Sequence, residues 1–164
     1  MEPIFYRNFI NSSVFNFDEL KNLYENYPED KIEMINNNIK YRPYIREQVN
    51  NKSTLIFVEA ENIKEEFKSL KKVFELKFPK LKKSKRWEVH IYFSYSGEST
   101  SFKTHTDVAD NIIVQTEGLS KWHLPGFFNK TLAIGDMLWI PKGVEHGCVP
   151  LSKRISLSFA FWDF

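Results

Sequence analysis

The chain has 164 residues, of which 42% are hydrophobic and 16% aromatic, a composition that predicts one well-packed domain and excludes a disordered protein. The formal net charge of +2 is too small to indicate a polyanion partner by itself. The single cysteine, Cys148, excludes an internal disulfide. Neither a signal-peptide layout nor a membrane-length apolar run is present, so we expect a cytoplasmic location with no membrane partner.

The first half of the chain predicts supporting elements. A helix is expected over 16–27, with Asn16 or Asp18 as its cap, because leucines follow at helical spacing and a proline comes directly after it. The polar segment 31–51 predicts a long connection that borders a binding site. Residues 54–58 are apolar and β-branched enough to predict a short buried strand.

A second helix is predicted after Asn62, which we expect to be its cap, and before Pro79. Its apolar positions recur at intervals of four, three and four and form one stripe: Ile63, Phe67, Leu70 and Phe74.

Basic residues are concentrated between Lys64 and Arg86, mostly off the apolar stripe. A solvated helix face followed by a basic loop explains them, and so does a docking surface for an acidic protein or RNA. We favour the solvated face, and expect no nucleic-acid partner, because nucleic-acid footprints usually combine basic residues with exposed aromatics or a known motif.

From Trp87 onward the apolar pattern changes to a period of two, which predicts strands. The expected strands, separated by Gly and Pro turns, include one carrying His105 and further ones at 87–94, 111–115, 121–124, 131–134, 137–140 and 154–162. Many short strands preceded by helices favour a closed or sandwiched antiparallel β fold. Residues 1–86 would then support a β core formed by residues 87–164.

His105 and Asp107 are separated by one residue, so their side chains point to the same side of an extended strand. His146 adds a second imidazole about forty residues later. Two histidines and one carboxylate with open positions opposite are the ligand set of non-haem Fe(II) oxygenases. The alternative is that His105 and His146 are ordinary structural histidines. For His90 and His123, the structural interpretation is the one we prefer.

The last predicted strand has an apolar face and a polar face. Arg154, Ser156 and Ser158 share the polar face. An arginine that points into a barrel is costly unless it meets an anion, so this strand predicts a carboxylate ligand.

Three segments together resemble the cupin or double-stranded β-helix 2-oxoglutarate oxygenases, most closely the JmjC-type hydroxylases. They are the His105-x-Asp107 pair, residues 111–122 (NIIVQTEGLSKW) and residues 135–146 (GDMLWIPKGVEH). The resemblance covers residues 87–164. It implies a jelly-roll core, Fe(II) held by His105, Asp107 and His146, and 2-oxoglutarate as co-substrate.

The resemblance also implies that Asn111 helps to hold 2-oxoglutarate. The lysine that binds the distal carboxylate in such hydroxylases is replaced by Ser120, and a lysine stands one residue later, at Lys121. A one-residue shift turns a side chain to the other face of a strand. Either a bulge turns Lys121 inward, or Arg154 and Ser156 bind the distal carboxylate of 2-oxoglutarate in its place. We prefer Arg154, and Tyr92 is a candidate for a further hydrogen bond.

The implied activity is hydroxylation of a protein side chain or a small molecule, or demethylation where the oxidised carbon bears nitrogen, with consumption of dioxygen and 2-oxoglutarate. A metal-binding cupin that isomerises or senses a ligand without consuming 2-oxoglutarate stays open, because of the displaced lysine. The C-terminal helical segment through which many relatives dimerise is not part of this sequence. We therefore expect a monomer or weak dimer.

Overall fold

Two antiparallel sheets form the framework of the computed structural model, which describes residues 1–11 and 13–162. The strands are β1 (Ile4–Tyr6), β2 (Ile32–Asn36), β3 (Ile39–Tyr41), β4 (Thr54–Phe57), β5 (Arg86–Ser94), β6 (Asp110–Glu117), β7 (Ser120–Leu124), β8 (Phe128–Leu132), β9 (Met137–Ile140), β10 (Gly147–Pro150) and β11 (Arg154–Trp162). The α-helices are α1 (Phe17–Asn26) and α2 (Glu65–Lys77), and short 3-10 helices lie at Glu29–Lys31, Arg46–Gln48 and Pro79–Lys83.

The larger sheet has eight strands in the order β1-β9-β6-β11-β5-β4-β2-β3, and the smaller sheet has the order β10-β7-β8. Strands distant in sequence are neighbours in the larger sheet, as when β11 pairs with both β5 and β6. This jelly-roll arrangement, with helices on its outer side, confirms the predicted double-stranded β-helix core.

The alternation of side chains divides the core into two layers. Along β6, Ile112 and Val114 face the helices, whereas Ile113 faces the smaller sheet. The helix-side layer contains most of the phenylalanines, and the inner layer contains Trp122 and Leu138. Because both faces of β6 are covered at its centre, residues 112–114 are apolar on both faces of the strand.

Helix α1 begins as predicted. The Asn16 side chain accepts a hydrogen bond from the Glu19 backbone N–H at 2.9 Å, and the Glu19 carboxylate accepts one from the Asn16 N–H at 2.9 Å. This reciprocal capping box satisfies two backbone donors that the first turn leaves free.

Helix α2 begins later than predicted. Its cap position is Lys64, which makes no side-chain capping bond, so Asn62 is not the cap. The predicted stripe is correct, since Phe67 and Phe74 are fully buried and Ile63 and Leu70 pack against the same core. Tertiary packing of the stripe therefore decides where this helix lies.

Replacing Phe74 by alanine is expected to lower the free energy of unfolding by about 3–5 kcal/mol, because it leaves a cavity beside Phe159. The two rings are 5.0 Å apart in an edge-to-face contact. Leu76→Ala is the matched control on the same helix, since Leu76 is 71% exposed. Urea unfolding measures both variants, and equal losses would contradict this account of the core.

Three segments differ from the predicted elements. The expected connection over 31–51 contains β2 and β3, and β2 is buried along its whole length. The strand expected at 131–134 is instead Phe128–Leu132, and β10 was not predicted. Strands β2 and β10 pair with strands that are not adjacent in sequence, β4 and β7, and local composition does not reveal such pairing. Within the described ranges, no helix is long and apolar enough to cross a bilayer.

Candidate metal and co-substrate site

His105, Asp107 and His146 lie together in one pocket. Their potential ligand atoms all lie within 4.8 Å of one another. The Nε2 atoms of His105 and His146 lie 3.6 Å and 3.4 Å from the Asp107 carboxylate oxygens. His146 is buried, whereas His105 and Asp107 are partly exposed. The three side chains thus form a compact cluster with access from outside.

The backbone holds the cluster differently from the prediction. His105 is not in a strand but in a loop, and it pairs with His146 through an isolated bridge. Each of the two residues donates its backbone N–H to the other's carbonyl oxygen at 2.9 Å. One bridge is sufficient to bring the two imidazoles together, with ring centroids 4.5 Å apart.

Both imidazoles are oriented by backbone carbonyls. Nδ1 of His105 lies 2.7 Å from the Lys103 oxygen, and Nδ1 of His146 lies 2.9 Å from the Val144 oxygen. A carbonyl only accepts, so each Nδ1 carries the hydrogen and each Nε2 is the nitrogen directed at Asp107. This is the orientation that metal-binding histidines adopt, and the residues present therefore fit a divalent metal ion.

Asp107 is restrained by Asn111, whose side-chain nitrogen donates to Asp107 Oδ2 at 2.6 Å. Burial by itself raises the pKa of Asp107, but the neighbouring His146 and His105 and the hydrogen bond from Asn111 together hold it below its ordinary value. The carboxylate is consequently ionised and available as a ligand.

Arg154 lies in the same pocket and is 1% exposed. Its Nε donates to Ser94 Oγ at 3.0 Å and its Nη1 to Ser156 Oγ at 2.6 Å. In residues 1–11 and 13–162, no carboxylate forms an ion pair with Arg154. A buried guanidinium held only by hydroxyls lacks a counter-charge, so the pocket fits an anionic ligand.

Gln115 connects this arginine to the smaller sheet, a role that the sequence analysis missed. Its Oε1 accepts hydrogen bonds from Ser156 at 2.7 Å and from Ser120 at 2.8 Å. Ser120 in turn accepts from Trp122 Nε1 at 3.0 Å. The available signal was the period of two along β6, which places Gln115 on the same face as Asn111.

Of the remaining predicted residues, one lies in the pocket and the others lie outside it. Tyr92 lines the pocket, and burial, followed by the charge of Asp107, raises the pKa of its phenol above the ordinary value. Lys121 is exposed and borders a different groove together with His123. His90 lies 3.3 Å from Glu88 and outside the three-residue cluster.

The pocket continues into an outer groove. Including its open mouth, the pocket has a volume of about 460 Å³ and is walled by Phe102, Ile113 and Trp122 besides the polar residues. The outer groove shares His105, Asp107 and Asn111 with the pocket. It is lined by residues of both charges, among which are Glu33, Lys40, Arg42, Glu59, Arg86 and Glu88.

The fold and the cluster define a jelly-roll protein with a candidate two-histidine, one-carboxylate metal site. No protein-family model and no curated protein matches the sequence. Solved structures do match. YcfD, a ribosomal oxygenase from Escherichia coli in complex with cobalt and succinic acid, is 20% identical, with a TM-score of 0.78 over 99% of this chain and 48% of that chain.

Two further structures have the same fold. YcfD with cobalt and 2-oxoglutarate is 19% identical, with a TM-score of 0.75 over 99% of this chain and 48% of that chain. SPY1581 from Streptococcus pyogenes, a protein of unknown function, is 11% identical, with a TM-score of 0.50 over 79% of this chain and 96% of that chain. The chain thus spans about half the length of YcfD and shares its fold.

Proposed function

We propose that this chain is an Fe(II)- and 2-oxoglutarate-dependent oxygenase that hydroxylates a protein side chain or small molecule. The observation that carries the proposal is the presence, in one pocket, of the His105, Asp107 and His146 cluster and the buried Arg154. The first group fits a metal with open positions and the second fits a carboxylate. The likeness to YcfD bound to cobalt and 2-oxoglutarate supports the same assignment.

Iron would be held by Nε2 of His105, Nε2 of His146 and a carboxylate oxygen of Asp107. When bound, iron and 2-oxoglutarate would activate dioxygen for C–H hydroxylation, so that one oxygen atom enters the substrate and the other enters succinate, with release of carbon dioxide. Asn111 orients Asp107 through its 2.6 Å hydrogen bond, and the backbone carbonyls of Lys103 and Val144 keep each Nε2 directed inward.

Arg154 is our choice for the distal carboxylate of 2-oxoglutarate. Its burial in the pocket, and the exposure of Lys121 beside a different groove, support that choice. Ser156 adds a hydroxyl next to the guanidinium. A phenol is protonated at neutral pH even at its ordinary pKa, and the pKa of Tyr92 is raised further, so its hydroxyl is available as a donor to an anion.

Aromatic side chains form part of the pocket wall. Phe102 packs against the His105 ring with centroids 5.3 Å apart, and the Trp122 ring stacks on His146 at 6.1 Å. Apolar walls lower the local dielectric constant and so strengthen the contacts of Arg154 and Asp107 with charged ligands.

The outer groove is our candidate for the substrate site, because it leads directly to His105 and Asp107. Its lining of charges of both signs suits a polar side chain on a protein better than a small apolar molecule. YcfD is described as a ribosomal oxygenase, and this likeness also favours a protein substrate.

The test is anaerobic. Fe(II) is added to the purified protein, 2-oxoglutarate is titrated, and the visible metal-to-ligand charge-transfer band is recorded, with His105→Ala as control. We expect a band that is absent in the variant, and succinate formation once oxygen is admitted. Metal binding without a band would instead favour the cupin that does not consume 2-oxoglutarate, which Ser120 in place of the usual lysine also favours.

A further inference from the structure

The charge of the chain is distributed very unevenly. Residues 68–86, here called the basic strip, contain nine lysines or arginines and one acidic residue, a net charge of +8. Because the whole chain has a net charge of +2, all other residues together carry −6. A single segment therefore concentrates positive charge on an otherwise acidic protein, which is a footprint for a polyanion.

Several of these charges have no internal counter-ion. The basic strip covers most of α2, the 3-10 helix Pro79–Lys83 and the start of β5. Its residues Lys71 and Lys80 pair with Glu75 and Asp110. By contrast, four exposed lysines make no ion pair with any residue that the structure describes: Lys72, Lys82, Lys83 and Lys85.

Aromatic rings lie among the cations of the basic strip. Lys77 is 4.4 Å from the ring centroid of Tyr6, and Lys71 is 5.5 Å from that of Trp87. The guanidinium of Arg86 is 5.1 Å from the ring of Trp162. All three rings are partly exposed. Sequence alone did not reveal this combination, because Tyr6 and Trp162 are distant from the strip along the chain.

The basic strip also reaches the candidate substrate groove. Arg86, the last residue of the strip, and Trp162 line the same groove as His105 and Asp107. A polymer lying along the strip would therefore end at the entrance to the metal site.

We propose that the basic strip is a docking surface for single-stranded RNA. Lysines without counter-ions attract phosphates, and partly exposed aromatic rings provide platforms on which bases stack. An acidic protein would neutralise the lysines, but it has no bases that would stack on the aromatic rings. This reverses the solvated-face interpretation of the sequence, and it is independent of the reaction performed at the metal site.

The test is fluorescence anisotropy with a labelled 12-nucleotide single-stranded RNA of mixed sequence, measured at several salt concentrations. We expect binding at low salt that weakens steeply as salt increases, since each contacted phosphate releases bound counter-ions. The triple variant K82E/K83E/K85E should weaken binding at least about tenfold and reduce the salt dependence. Trp162→Leu should also weaken binding.

The matched control is K21E/K52E/K130E, which makes the same change of charge at exposed lysines outside the basic strip. It should change the affinity less than about twofold, because these lysines are not part of the basic strip. All variants should bind Co(II) like the parent protein. Equal weakening by both triple variants, no binding at low salt, or equally tight binding of a polyglutamate peptide would overturn the proposal.

Discussion

Replacing Arg154 by alanine is expected to abolish 2-oxoglutarate binding while Co(II) still binds. The guanidinium is the buried cation of the pocket, and under the proposed assignment its removal would leave the distal carboxylate of 2-oxoglutarate without a partner. Loss of one member of a buried charge pair costs about 3–5 kcal/mol, which corresponds to a loss of affinity of about 100-fold or more. Calorimetric titration of 2-oxoglutarate into the Co(II)-loaded protein measures this loss of affinity.

Lys121→Ala is the control, because Lys121 is exposed and borders a different groove. It should leave 2-oxoglutarate affinity unchanged. Arg154→Lys provides a second comparison, since it keeps the charge but loses the two parallel hydrogen bonds of a guanidinium, and we expect intermediate affinity. If Lys121→Ala abolished binding and Arg154→Ala did not, the assignment of the carboxylate partner would be wrong.

His146→Ala is expected to remove Co(II) binding at micromolar metal. His146 is the buried member of the cluster, and its Nε2 already points to Asp107. The remaining His105 and Asp107 are partly exposed and supply only two ligands, so we expect an affinity loss of at least about 100-fold. The Co(II) absorption spectrum, which reports the ligand set, measures the loss.

His123→Ala and His90→Ala are the matched controls for this variant. His123 is exposed on β7 beside Asn129, and His90 lies next to Glu88 on β5. Each removes one imidazole without touching the cluster, so the Co(II) spectrum should be unchanged. A Co(II) site that survives His146→Ala but is lost in His90→Ala or His123→Ala would show that the metal binds elsewhere.

Local pattern determined much of the architecture. The alternation of Arg154, Ser156 and Ser158 with apolar residues predicted which face of β11 enters the pocket, because successive side chains of a strand point to opposite faces. The Asn16 cap followed from the preference of asparagine for that position, and the helical stripe of α2 followed from its spacing. The cluster of His105, Asp107 and His146 was also predicted from the sequence, from spacing and resemblance together.

Contacts between distant segments decided the rest. Strand β2 is fixed by pairing with β4, which lies beyond β3 in the chain, and the local composition of residues 31–51 gives no such signal. The direction of each imidazole depends on backbone carbonyls of Lys103 and Val144, which a sequence does not position. Gln115 acts beneath Arg154 only because β6 and β11 are neighbours. Hydrogen bonds and strand pairing over long sequence separation are properties of the folded chain, so only the tertiary structure reveals them.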